Sequence, residues 1–286
     1  MSTAEQHVLK TWLVTGASRG LGREIVRAAL ASGDRVIAGV RDVESADLGS
    51  HDALRVVRLD VTAPDEARSA VTTAVEQFGG LDVVVNNAGR HMRGAVEEVD
   101  DAEARAVFDV NVFGILNVLR AALPVLREQR CGRIVNIGSG AGLIGMPGAG
   151  LYNATKFAVS GLTEALSIEL ADFGIRVTVV EPGGFRTDFL DPSSMGSATP
   201  MAAYDSTPAG VVHREKASAG NHQQPGDPAK AAQLVVDVAH HDDPPVHLLV
   251  GKDAIAAWED IKVPLMSRSI GPWRARSEAT AFEPPT

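Results

Sequence analysis

The sequence predicts an α/β fold, a doubly wound parallel sheet of about seven strands with helices on both faces. Three observations carry that expectation. Short apolar, β-rich runs alternate with helical patterns from residue 11 onward. The runs are continuously apolar rather than alternating, as strands covered on both faces must be. A glycine-rich turn joins the first run to the first helical pattern.

The elements follow in order. Strands are expected at 11–15, 35–40, 54–59, 81–85, 133–137, 176–180 and 246–250. A helix over 23–32 precedes Gly33, a left-handed stop. A helix over 65–78 follows Pro64, carries acids in its first turn and ends at Gly79, which suits the helix dipole. Residues 101–129 form a long helical pattern that Pro124 is expected to kink or break. A helix over 151–173 stops at Gly174, and 228–240 is the last clear one.

Residues 188–226 break the rhythm, being rich in Ser, Pro, Gly, Ala and Met. A loop that long after a strand end is expected to be a substrate lid. Residues 267–286 are expected to be an arm or a disordered tail. No internal repeat is visible, and 1–286 reads as a single domain.

Composition sets limits. The chain has 286 residues, 45% hydrophobic, 22% charged and 5% aromatic, enough for a substantial core. A formal charge of −9 makes it a poor partner for nucleic acid or anionic membrane. Cys131 is the one cysteine, so no intrachain disulfide forms, which fits a reducing compartment. The polar start and the absence of an uninterrupted apolar stretch of about 18 residues point to a soluble, cytoplasmic protein. No metal is expected: His240, His241, Asp242 and Asp243 are adjacent, and their side chains diverge.

The turn after the first strand reads Thr15-Gly16-Ala17-Ser18-Arg19-Gly20-Leu21-Gly22. Glycines let the backbone bend sharply and approach a pyrophosphate. The following helix start offers free N–H groups and a positive dipole end. This is the strand–turn–helix context of a Rossmann-type dinucleotide site.

The spacing Thr-Gly-x-x-x-Gly-x-Gly resembles that of the short-chain dehydrogenase/reductase family. The resemblance covers about residues 10 to 190 and implies roles for named positions. Gly16, Ser18, Arg19, Gly20, Leu21 and Gly22 would hold the cofactor phosphates. Asp60 and Val61 would meet the adenine, and Asn87, Ala88 and Gly89 would wall the adenosine side. Pro182 and Gly183 would turn the chain against the nicotinamide, and Thr187 would bind its carboxamide.

Cofactor choice depends on the end of the second strand, where an acid would bind a ribose hydroxyl and a cation a 2′-phosphate. Val40 stands where NAD-preferring members keep an acid, and Arg41 follows it. With Arg19 this favours NADP(H) over NAD(H). If the strand ran one residue further, Asp42 could shift the preference to NAD(H).

Tyr152 and Lys156 are four apart, so on a helix they share one face. Reducing a ketone needs a proton donor at the developing alkoxide, and a nearby ammonium lowers a phenol pKa. Both are also expected to touch cofactor. Ser139, at a strand's carboxyl end, can hydrogen-bond the same substrate oxygen. Asn111 is a polar residue in an apolar helix; the family's corresponding asparagine holds a water that links the lysine to solvent. Resemblance thus implies an Asn111, Ser139, Tyr152 and Lys156 tetrad and hydride transfer between NADP(H) and a ketone, aldehyde or secondary alcohol.

His91, Met92, residues 140–148 and the 188–226 loop are expected to line the substrate. Leu143, Ile144, Met146, Phe189, Met195 and Met201 suggest an apolar small molecule. The family is commonly dimeric or tetrameric through the helices around Asn111 and Tyr152, so a homodimer or homotetramer is expected. Two alternatives remain: a non-catalytic NADP(H)-sensing or scaffold protein of the same fold, and a sugar-nucleotide epimerase or dehydratase.

Overall fold

Nine strands are present among the residues described by the computed structural model, 9–191, 194–215 and 222–282. They are β1 (Thr11–Thr15), β2 (Arg35–Val40), β3 (Leu54–Arg58), β4 (Val83–Asn86), β5 (His91–Arg93), β6 (Gly132–Ile137), β7 (Ile175–Pro182), β8 (Met195–Ser197) and β9 (His247–Val250). Seven form one parallel sheet in the order β3-β2-β1-β4-β6-β7-β9. The chain moves outward from β1 in one direction and then returns to β4 on its other side. That reversal opens a crevice at the carboxyl ends of β1 and β4, where ligands bind in such sheets.

Burial on both faces explains the continuous apolar runs. Leu13, Ile37, Val84, Ile134 and Val179 pack on one face against helices α2 (Pro64–Phe78), α4 (Gly114–Gln129) and α5 (Gly150–Glu169). Trp12, Val14, Val36, Ala38, Val85 and Val135 pack on the other against α1 (Gly20–Ala31) and α7 (Pro228–His240). Adjacent strand residues point to opposite faces and both are buried.

Helix ends largely follow their signals. Gly79 caps α2 with φ 84, and Asp65 and Glu66 occupy its first turn. The first helix starts earlier than expected, at Gly20, because the glycine-rich turn itself supplies its first residues. The helix carrying Tyr152 ends earlier, at Glu169, and a 3₁₀ turn at Ala171–Phe173 closes on Gly174 with φ 72.

Of the kink or break expected at Pro124, the break does not occur: α4 runs through this residue. It lies on the exposed side, where water can satisfy the carbonyl its missing N–H leaves free. The irregularity falls instead on a π-helical turn, Asp109–Phe113, joining α3 (Asp101–Phe108) to α4. The whole run Asp101–Gln129 is long and apolar enough by composition to cross a bilayer. Here its residues Val107, Ile115, Val118, Leu119, Ala122 and Leu126 are buried, most of them in the core under the sheet.

The 188–226 segment holds more structure than the sequence suggests. It forms a 3₁₀ turn (Asp188–Leu190), β8, a second 3₁₀ turn (Ala202–Tyr204) and α6 (Pro208–Glu215). Residues 192–193 and 216–221 of it lie outside the described residues. β8 pairs with β5 as a separate two-stranded parallel sheet. Met201 N donates to Glu98 Oε1 at 2.8 Å and the Tyr204 hydroxyl to Glu97 at 2.7 Å, tying the segment down.

The tail is a helical arm up to Glu278: α8 (Lys252–Ala256), a π-turn (Ala257–Lys262), α9 (Val263–Ile270) and α10 (Arg274–Glu278). Lys262 Nζ lies 5.0 Å from the Phe157 ring centroid, placing the arm beside α5. Residues 283–286 lie outside the described residues.

Candidate active site

The glycine-rich turn is stitched to β4. Asn87 Nδ2 donates to the Thr15 and Gly16 carbonyls at 2.9 and 3.1 Å. Thr15 Oγ1 accepts from the N–H groups of Asn87 and Ala88, both at 3.0 Å. Gly16 has φ 63, and a Cβ there would sit 2.9 Å from Ala88 Cα. A Cβ on Gly22 would overlap Asn87 Nδ2 and the Gly16 carbonyl.

The start of α1 carries no acid in its first turn and no side-chain cap, so among the described residues no carboxylate caps its N–H groups. Ser18, Arg19, Gly20 and Leu21 are partly exposed around it. These features fit a dinucleotide pyrophosphate. Arg19 Nη2 also donates to Ser194 Oγ at 2.6 Å, linking the turn to the 188–226 segment.

β2 ends at Val40, and Arg41 and Asp42 are exposed just beyond it. The Asp42 carboxylate accepts from Glu44 N at 3.1 Å, and these local bonds, with Ser45 foremost, hold its pKa below the usual range. Asp60 Oδ1 is taken by Thr62, at 2.9 Å from N and 2.7 Å from Oγ1. Val61 is buried against Gly114.

Pro182 ends β7, Gly183 N donates to Val250 O at 2.9 Å, and Gly184 N donates to Asp253 Oδ2 at 2.6 Å. Asp253 thereby orders the turn, a role that no local sequence signal announces. Thr187 packs toward Gly20, so the segment after β7 meets the glycine-rich turn.

Ser139 leaves the end of β6 and accepts from Ala141 N at 3.1 Å. Its side chain lies near enough to the Tyr152 phenol to favour the ionised form. Lys156 Nζ donates to Ile137 O at 2.7 Å and lies 5.8 Å from the Tyr152 ring centroid. Both are buried. Burial pushes the phenol up to about 12, with Ser139 pulling the other way. Burial draws the Lys156 ammonium down to about 8. The phenol is therefore raised rather than lowered, contrary to the expectation from Lys156, because desolvation dominates.

Asn111 sits in the π-turn, 1% exposed. Its Oδ1 accepts from Arg90 N at 2.8 Å, and its Nδ2 donates to Arg90 O and Thr155 Oγ1, both at 3.0 Å. The side chain pins the loop after Gly89 to α5.

His91 comes to the site from β5, its ring stacked on Tyr152 at 4.4 Å between centroids and 9° between planes. Phe189 covers both, 5.9 Å from Tyr152 and 6.0 Å from His91. Leu143 is buried nearby in the chain, whereas Met146 and Met201 are exposed. Asp188, Asp191 and the distant His222 bring ligand-capable atoms within 4.8 Å of one another. Partly exposed groups of this kind are common without an ion, and the cluster carries no assignment.

Residues 10–197 match the family described as short chain dehydrogenase. Among curated proteins, Oxidoreductase BOA17 of Botryotinia fuckeliana (strain B05.10) is 39% identical over 276 residues, 95% of this chain and 99% of that protein. Among solved structures, a short-chain dehydrogenase from Streptomyces avermitilis superposes with a TM-score of 0.87 at 37% identity, covering 96% of this chain and 100% of that one. ElxO with NADP bound gives a TM-score of 0.72 at 26% identity, covering 87% and 100%.

Proposed function

The chain belongs to the short-chain dehydrogenase/reductase family, and from that premise we propose that it is an NADP(H)-dependent oxidoreductase interconverting a ketone or aldehyde with its alcohol. The observation that carries this reading is the burial of Tyr152 beside Lys156, whose Nζ lies 5.8 Å from the phenol ring centroid and is held by Ile137 O at the carboxyl end of β6, next to Ser139.

When bound, the nicotinamide supplies the hydride for reduction and takes it up in oxidation. Gly16, Ser18, Arg19, Gly20, Leu21 and Gly22 would hold the phosphates, with Asp60, Val61, Asn87, Ala88 and Gly89 around the adenosine. Pro182, Gly183 and Thr187 would flank the nicotinamide, and Lys156 the ribose. Ser139 and Tyr152 orient the substrate oxygen, and Tyr152 donates its proton to the developing alkoxide. Phe189 and the β5–β8 sheet keep water from that oxygen. Asn111 spends its side chain on Arg90 and Thr155, so a water relay past it would use its backbone carbonyl.

NADP(H) is favoured because β2 ends before Arg41 and because Asp42 spends its carboxylate on neighbouring N–H groups. A largely apolar substrate body suits Phe189 and Leu143. Exposed Phe113 and Phe157, beside α4 and on α5, support assembly as a homodimer or homotetramer. Cytoplasmic residence is part of the same proposal, with Cys131 exposed as a free thiol.

A panel of carbonyls and alcohols with each dinucleotide tests the reading. Turnover with NADPH above NADH, lost in Tyr152→Phe, is expected; an equally active variant would remove Tyr152 from proton transfer.

A further inference from the structure

Two residues apart on β5, His91 and Arg93 point to the same side of their strand. His91 lies on the Tyr152 ring, so that side faces the site. Both side chains are buried, His91 at 8% exposure and Arg93 at 7%. Among the described residues, His91 Nδ1 and Arg93 Nη1 have no hydrogen-bond partner.

Among the described residues, no ion pair offsets the Arg93 guanidinium, and burial alone draws its pKa down. The nearby acids are engaged elsewhere. Glu98 accepts from Ala95 N at 2.7 Å and Met201 N at 2.8 Å, Glu97 from the Tyr204 hydroxyl, and Glu103 from Arg90. A buried cation without a counter-charge is costly, and it persists where a ligand completes it.

The local potential is positive. Arg93 and Lys156 both add to the burial that lowers His91 to about 4. His91 is therefore neutral near pH 7 and offers one N–H rather than a second full charge.

The position separates this pair from the cofactor phosphates. His91 N donates to Ser194 O at 3.1 Å, and Ser194 Oγ meets Arg19 of the glycine-rich turn. Arg93 lies two residues further along β5, about 6.6 Å away by strand rise. There Gly94 N donates to Gly148 O at 3.0 Å and Gly94 bridges Ala149, at the entry to α5. That is the wall expected to line the substrate.

We propose that Arg93, with His91, forms an anion subsite of the substrate pocket, and that the substrate is a carbonyl or hydroxy compound bearing a carboxylate. A guanidinium matches a carboxylate in shape and charge, and the His91 N–H can share the second oxygen. Phe189 then packs on the apolar part between the carboxylate and the reacting carbon. The substrate class rests on the oxidoreductase reading above, but the anion subsite can be tested without turnover.

In the first arm, kcat/KM is compared for oxo acids and their methyl esters with NADPH. The acids are expected to be preferred by roughly 100-fold, because a site built for a polar partner rejects analogues lacking it. In Arg93→Gln that ratio is expected to collapse toward one, with partial recovery in Arg93→Lys. In the second arm, calorimetry measures benzoate and benzamide binding to the NADPH-loaded protein. Benzoate is expected to bind at least about tenfold tighter, and Arg93→Gln to lose the difference.

Esters turned over as well as acids, or benzoate bound no better than benzamide by the wild type, would overturn the subsite even if Arg93→Gln failed to fold. Arg93-dependent benzoate binding without turnover of any substrate would uphold the subsite and remove the oxidoreductase reading instead.

Discussion

The His91 imidazole lies flat on the Tyr152 phenol, with ring centroids 4.4 Å apart and planes 9° from parallel. Burial holds this imidazole near 4, against 6.5 when free. Between those values the unfolded chain binds the proton and the folded chain does not, so acid favours unfolding in that window. His91→Phe keeps a stacked ring and removes the titration. Urea unfolding from pH 7 to pH 4 should show the wild type losing on the order of 3 kcal/mol relative to the variant. Parallel stability curves for the two proteins would contradict a buried neutral His91.

Lys156 is held near 8 by burial, and its ammonium is the stronger, charge-assisted donor to ribose hydroxyls. As pH rises through that value the ammonium is lost, so kcat/KM for NADPH, which reports the free enzyme, should fall with an inflection near pH 8. Lys156→Arg keeps the charge at higher pH and should move the inflection upward. An inflection that stays near 8 in the arginine variant would assign it to another group.

Gly22 has no room for a methyl group between Asn87 and the Gly16 carbonyl. Gly22→Ala should destabilise the protein by about 1–3 kcal/mol and weaken NADPH binding, seen together in thermal unfolding and calorimetry. Unchanged values of both would mean that the turn relaxes freely, contrary to its hydrogen bonding.

Arg41 stands exposed at the end of β2. Arg41→Ala should raise the Kd for NADPH about tenfold or more and leave the Kd for NADH nearly unchanged. Equal effects on the two dinucleotides would withdraw the 2′-phosphate assignment.

Asn111→Ala would strip the partners from Arg90 N and Arg90 O and from Thr155. A loss of about 1–3 kcal/mol in unfolding free energy is expected, together with reduced turnover as the loop after Gly89 loosens. Full activity at full stability would show that this pin is dispensable.

The main sheet was legible because its strands are buried on both faces: Trp12 and Leu13 face opposite layers, and both must be apolar. Tyr152 and Lys156 were legible because a helix aligns residues four apart. β5 and β8 were not. Each has three residues, and the polar ends of His91-Met92-Arg93 read as a loop; their pairing depends on a partner about a hundred residues away. Arg93 escaped notice for the same reason, since only that pairing and the packing on α5 bury it. Pro124 misled because its cost depends on which side of the helix meets water, which the local sequence does not display. Asp253 acts on Gly184 across 69 positions, with no pattern to mark it.

The bonds from Asn87 and Thr15 fix the shape of the glycine-rich turn from within the sheet. A dinucleotide arriving there meets amides that already point outward, so association loses little conformational entropy in arranging them. Differences in affinity between the two nicotinamide coenzymes should therefore be expressed in how long each one stays, far more than in how quickly each one lands.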